Sequence, residues 1–225
     1  MATKFEFKAK SGAATNGEIA VPGGAGKAPG LVLVQEWWGV NDHIRSLADR
    51  FAAAGFLTLA PDLYHGKTTK DPNEAGQMMQ TLDGARAMDD IAGAVAALLA
   101  HPRGNGKVGI VGFCMGGAYS FAAVSAIPEI KAAVPFYGIP PAERMDFAKM
   151  KAPILTHVAK HDQWVTVAKA EELKKAIEAH GGSVRLEIYD ADHAFVNDTR
   201  PEVYKPEAAK LAWDRSVAFL HQHVG

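Results

Sequence analysis

Short, unbroken apolar runs recur along this chain, and nearly every one leads into a segment with helical spacing. Residues 31–35 read LVLVQ, 56–60 FLTLA, 107–113 KVGIVGF and 152–159 APILTHVA. A strand without polar alternation has to be covered on both faces. Between the first two runs, Ile44, Leu47, Ala48 and Phe51 repeat at helix spacing, Asn41 or Asp42 can cap the start, and Gly55 ends the pattern. Further helices are expected over 86–100, 116–126, 168–179 and 206–221, and further strands over 131–138 and 184–190. Strands alternating with helices in this order predict an α/β fold, a mostly parallel sheet with helices on both faces. The beginning is different. Residues 5–7 and 18–21, joined through SGAATNG, read as a hairpin that adds an antiparallel edge. Residues 65–80 read as a long, polar, mobile loop suited to a specificity element.

At 225 residues, with 48% hydrophobic and 22% charged, the chain fits one large α/β domain over 1–225 that needs no disulfide or metal staple. Its 24 Lys and Arg nearly balance 25 Asp and Glu. No basic face is advertised, which argues against nucleic acid and anionic membrane as partners. No run is long enough to span a bilayer, and MATKFEFKAKSG lacks a signal-peptide core. The single cysteine, Cys114, excludes an intramolecular disulfide and fits a reducing, cytoplasmic setting. A monomer or weak homodimer is the expected assembly.

Cys114 lies in Gly112-Phe113-Cys114-Met115-Gly116, between a buried strand and a helix of small residues. A lone cysteine is usually core filler. This one sits where a nucleophile elbow would, on a strand-to-helix turn that needs flanking glycines because side chains there would strike backbone. The position is also a helix N-terminus, where unpaired N–H groups and the helix dipole favour an anion. A nucleophile needs a base, and the base an orienting partner. Most of the 9 histidines sit at helix ends or in the tail, and His157 and His161 straddle a strand end without sharing a face, so a metal site has little support. His193 follows the last strand in YDADHAF, at the carboxyl end of the sheet, where open α/β sheets bind ligands. Asp162, in KHDQWV, follows the strand before it, and is otherwise a helix cap. Nucleophile, acid, histidine is the chain order of α/β-hydrolases.

Glu36 stands directly beyond the apolar run 31–35 and before Trp37-Trp38-Gly39. A carboxylate there should be partnered or hold its proton unusually well. In this fold generally, the N–H after the nucleophile and one from the first loop, here Met115 and Trp37, would form the oxyanion hole.

Gln35-Glu36-Trp37-Trp38-Gly39, Pro61-Asp62-Leu63-Tyr64, the Cys114 elbow, His161-Asp162 and Asp192-His193-Ala194-Phe195 together resemble the dienelactone hydrolase family, nearly end to end. The resemblance implies Cys114 as nucleophile, His193 as base, Asp162 as orienter and Glu36 as the carboxylate that handles the thiol proton. It implies lactone opening or cleavage of activated esters, a small-molecule substrate, and no metal or organic cofactor. Trp38, Tyr64, Phe195 and Asn197 are the expected substrate-binding residues. The chain departs from the family's carboxylate-binding arginine pair. NEAGQMMQ (73–80) holds no Arg and HAFVN (193–197) ends in Asn197, while Arg86 and Arg200 lie near in sequence. A non-hydrolytic binding module and a cysteine peptidase are the competing readings. An acid–base relay is of no use to the first, and the chain order opposes the second.

Overall fold

The computed structural model describes residues 1–225. One eight-stranded sheet runs through it in the order β1-β2-β4-β3-β5-β6-β7-β8. The strands are β1 Thr3–Lys8, β2 Ala14–Ala20, β3 Ala28–Val34, β4 Leu57–Pro61, β5 Gly104–Phe113, β6 Ile130–Phe136, β7 Ile154–Ala159 and β8 Val184–Tyr189. The hairpin of β1 and β2 is antiparallel, β2 joins β4 antiparallel, and every pairing from β4 to β8 is parallel. The unbroken apolar runs became the middle of the sheet. All seven residues of β3 and all five of β4 are buried. Such residues cannot serve an edge, because both of their faces need cover.

Helices α1 Asp42–Ala53, α2 Pro72–Thr81, α3 Gly84–Ala100, α4 Met115–Ala126, α5 Val167–Ala179 and α6 Pro206–Val224 supply that cover. One face packs Phe51 and Phe56 with Phe113, Phe136 and Leu220 under α1 and α6. The other packs Val32, Ile91, Phe121 and Ile177 under α3, α4 and α5. Each fully buried side chain of this size contributes about 1.5–3 kcal/mol. The cap of α1 is Asn41, whose Oδ1 accepts from the Ile44 N–H at 3.2 Å, and Gly55 follows at φ +98°.

Three expectations need correction. Residues 72–81 are helical, so the stretch 65–80 is not a simple loop. Asp71 caps α2 through the Asn73 and Glu74 N–H groups and Pro72 opens it. Strand β6 stops at Phe136 and not at 138, because Tyr137 turns the chain at φ +35°. The hairpin link is shorter than SGAATNG, since β2 begins at Ala14.

Candidate active site

Strand β5 ends at Phe113 and α4 begins at Met115, leaving Cys114 alone between them at φ 55°, ψ −115°. That conformation costs a non-glycine residue about 1–3 kcal/mol and persists only where its surroundings enforce it. Here the Cys114 N–H donates to the Phe136 carbonyl at 3.1 Å, and the Cys114 carbonyl accepts from Gly117 at 2.9 Å. The glycines are steric necessities. A Cβ on Gly112 would lie 2.1 Å from the Gly116 oxygen, and one on Gly116 2.3 Å from the Val34 oxygen. Tyr64, buried beside the elbow, reaches the Met115 sulfur at 3.4 Å.

The His193 ring comes from the loop after β8. Its Nδ1 meets Asp162 Oδ2 at 2.6 Å, which leaves the other ring nitrogen for Cys114. Asp162 is fixed in turn, its Oδ1 accepting from the Trp164 and Val165 N–H groups at 2.8 and 2.9 Å. It does not cap α5, because Thr166 does. Tyr137 and Trp164 pack on the imidazole, with centroids 4.9 and 5.0 Å away. Burial alone would pull the imidazole down, but the bond it donates to Asp162, together with the neighbouring Cys114 sulfur, outweighs it and lifts His193 to about 10. Asp162 is likewise buried, and its bond with His193 still holds it below the usual carboxylate range.

Glu36 is 2% exposed, and burial raises it to about 7 against the pull of His193, Asn197 and Arg200. Asn197 Nδ2 donates to Glu36 Oε2 at 2.8 Å, and its own Oδ1 accepts from Thr199. The Trp37 N–H donates to no other group of the protein. The Met115 N–H opens α4, where a helix leaves its donors free.

These residues share a cleft of about 1370 Å³. Glu36, Trp37, Trp38, Cys114, Met115 and His193 line it. Of the residues expected to bind substrate, only Trp38 is in that lining. Phe195 is wholly buried against Tyr137 and Tyr189, Asn197 is spent on Glu36, and Tyr64 sits behind Met115. Arg200 does reach the cleft, paired with Glu202 at 2.8 Å and 5.9 Å from the Trp38 ring. Arg86 does not. Its guanidinium is held by buried Asp90 and the Ala14 carbonyl. His157 is buried between Tyr189 and Ser216, and His161 pairs with Asp190, so neither faces the other.

The sequence reading missed Tyr137 and Arg144, both of which line the cleft. The Tyr137 hydroxyl is buried with no hydrogen-bond partner, and burial, with Glu36 and Cys114 adding to it, raises it well above its ordinary value. Of the four non-glycine residues with positive φ, Cys114, Tyr137 and Ala194 line this cleft, and His65 alone does not. Gly138 right after Tyr137 was the available signal of a turn there.

The model of the dienelactone hydrolase family matches residues 15–224. Protein usf of Aquifex pyrophilus is 35% identical over the whole of both chains. The carboxymethylenebutenolidase of Pseudomonas sp. (strain P51) is 30% identical over 96% of this chain and 93% of its own. In fold, the dienelactone hydrolase-like promiscuous phosphotriesterase P91 from metagenomic libraries superposes with a TM-score of 0.85, over 100% of this chain and 99% of that one, at 24% identity. No helix is long and apolar enough to cross a membrane. With the match running through nearly every strand and helix just described, the chain belongs to the dienelactone hydrolase family, hydrolases of esters and lactones.

Proposed function

We propose that this chain opens lactones or cleaves activated carboxylic esters through a covalent thioester on Cys114. The observation that carries the reading is the Asp162–His193 pair set beside Cys114 in one cleft, at the strained elbow. Sulfur attacks the carbonyl carbon, and the oxyanion is received by the Met115 and Trp37 N–H groups. His193, held charged by its neighbours, gives its proton to the departing oxygen. The neutral imidazole then takes a proton from water, whose oxygen attacks the thioester, and sulfur leaves as the thiolate beside the recharged imidazole, restoring the starting pair. Atoms balance as ester plus water giving acid plus alcohol; in a lactone the two stay joined.

Asp162 keeps the imidazole in the tautomer and orientation the proton transfers need. Glu36 holds a proton close to neutrality, and the charged His193 beside it eases that proton off, so a proton can pass through this carboxyl group near the thiol. A thiol makes a good nucleophile but suits a good leaving group, which favours enol and aryl esters over amides.

Turnover of p-nitrophenyl acetate checks the reading. Cys114→Ala should abolish it and His193→Ala lower it by orders of magnitude. The protein has one cysteine, so an acetyl mass trapped on a thiol reports Cys114 without ambiguity. Full activity in Cys114→Ala would overturn the proposal.

A further inference from the structure

The cleft is larger than a small lactone requires. Ligand pockets typically enclose about 300–1,000 Å³, and this one encloses about 1370 Å³. The excess follows α4. Ala118, Ala122 and Ala126 succeed each other one turn apart and all line the cleft, so they share one face of the helix. Leu82, Met88 and Ile139 line the same space. Eight residues of helix cover about 12 Å, the length of an alkyl chain of roughly eight to ten carbons.

The groove starts at the nucleophile, and its direction decides which part of a substrate it takes. The leaving oxygen has to lie beside His193 to receive a proton. His193 enters from the loop after β8, flanked by Trp164 and Tyr137, while the alanine face of α4 runs away from the elbow beside Met88 of α3, which lines the same cleft. The arm along α4 is therefore the acyl arm. We propose that the preferred substrates are esters or lactones carrying an extended apolar acyl chain of about eight carbons, laid over Ala118, Ala122 and Ala126. The proposal rests on the cysteine-hydrolase reading above.

A p-nitrophenyl ester series from acetate to dodecanoate, kept below micelle formation, provides the test. A fully buried methylene strengthens binding about fourfold, and a half-open groove about twofold. Octanoate should then exceed acetate in kcat/KM by roughly sixtyfold, with a plateau near ten carbons. Ala122→Phe, and Ala126→Phe at an exposed position that tolerates bulk, should each cut the octanoate-to-acetate ratio at least tenfold. A flat or falling series, or an unchanged ratio in both variants, overturns the groove. Acetate turnover that depends on Cys114 alongside a flat series removes the groove alone; turnover indifferent to Cys114 removes the hydrolase reading. If no ester is turned over, alkylation of Cys114 by N-octylmaleimide against N-ethylmaleimide decides the groove independently. Faster reaction of the octyl reagent, lost in Ala122→Phe, supports it, and equal rates overturn it.

Discussion

Replacing Glu36 with Gln separates the cost of holding a carboxyl group in the cleft wall from everything else about the site. Gln fills the same volume, and its amide oxygen still accepts the bond from Asn197. Burial raises Glu36 from 4.5 to about 7, so the folded protein keeps a proton that the unfolded chain releases. As pH climbs from 4.5 to about 7, the unfolded chain ionises first and gains, so wild-type stability falls relative to Glu36→Gln. The stabilisation is fully present below 4.5, is lost as pH rises through about 7, and changes no further above it. The interval corresponds to about 3 kcal/mol. Urea unfolding followed by tryptophan fluorescence at several pH values measures it. Glu36→Gln should gain about 3 kcal/mol on wild type between about pH 4 and about pH 9, or several degrees in Tm. Other groups titrate in both proteins and cancel, apart from a small response of His193. A gap that stays constant within about 0.5 kcal/mol across that range would refute the assignment of a buried, proton-holding Glu36.

Two further substitutions probe the relay and its neighbour. Asp162→Asn keeps the side chain's shape but loses the charge that lifts His193, so kcat should fall about 10²- to 10⁴-fold with little change in KM. Steady-state kinetics on an aryl ester would show it, and a loss under tenfold would mean the imidazole is oriented by its aromatic packing alone. Tyr137→Phe removes a hydroxyl buried without a partner and should stabilise the protein by about 1 kcal/mol in urea. A loss of stability instead would reveal a bond held by that oxygen.

Much of this architecture could be read from residue patterns because its strands are of the buried kind. Runs such as 31–35 and 107–113 leave no polar face to confuse the period, and the antiparallel edge declared itself by alternation in Phe5 and Phe7. Cys114, Asp162 and His193 each follow a strand, so topology alone carries them to one end of the sheet. Helix α2 was harder. Only Ala75 of its ten residues is buried, so it has almost no apolar stripe, although Asp71-Pro72 marked its start. Pocket residues were harder still. Phe195 and Asn197 adjoin His193 in sequence, yet a turn decides which way each points, and both turn inward. Arg144 reaches the cleft from a short 3-10 turn after β6, which no spacing in the sequence announces.

The left-handed backbone at Cys114 also limits which atoms evolution or engineering can install there. Serine has an unbranched Cβ and can follow the same turn, so exchanging sulfur for oxygen is a single conservative step. Threonine offers the same hydroxyl, but its second branch makes a positive φ far more costly, and the interchange stops there. The dihedral angle at one residue therefore selects among the side-chain nucleophiles before any chemistry does.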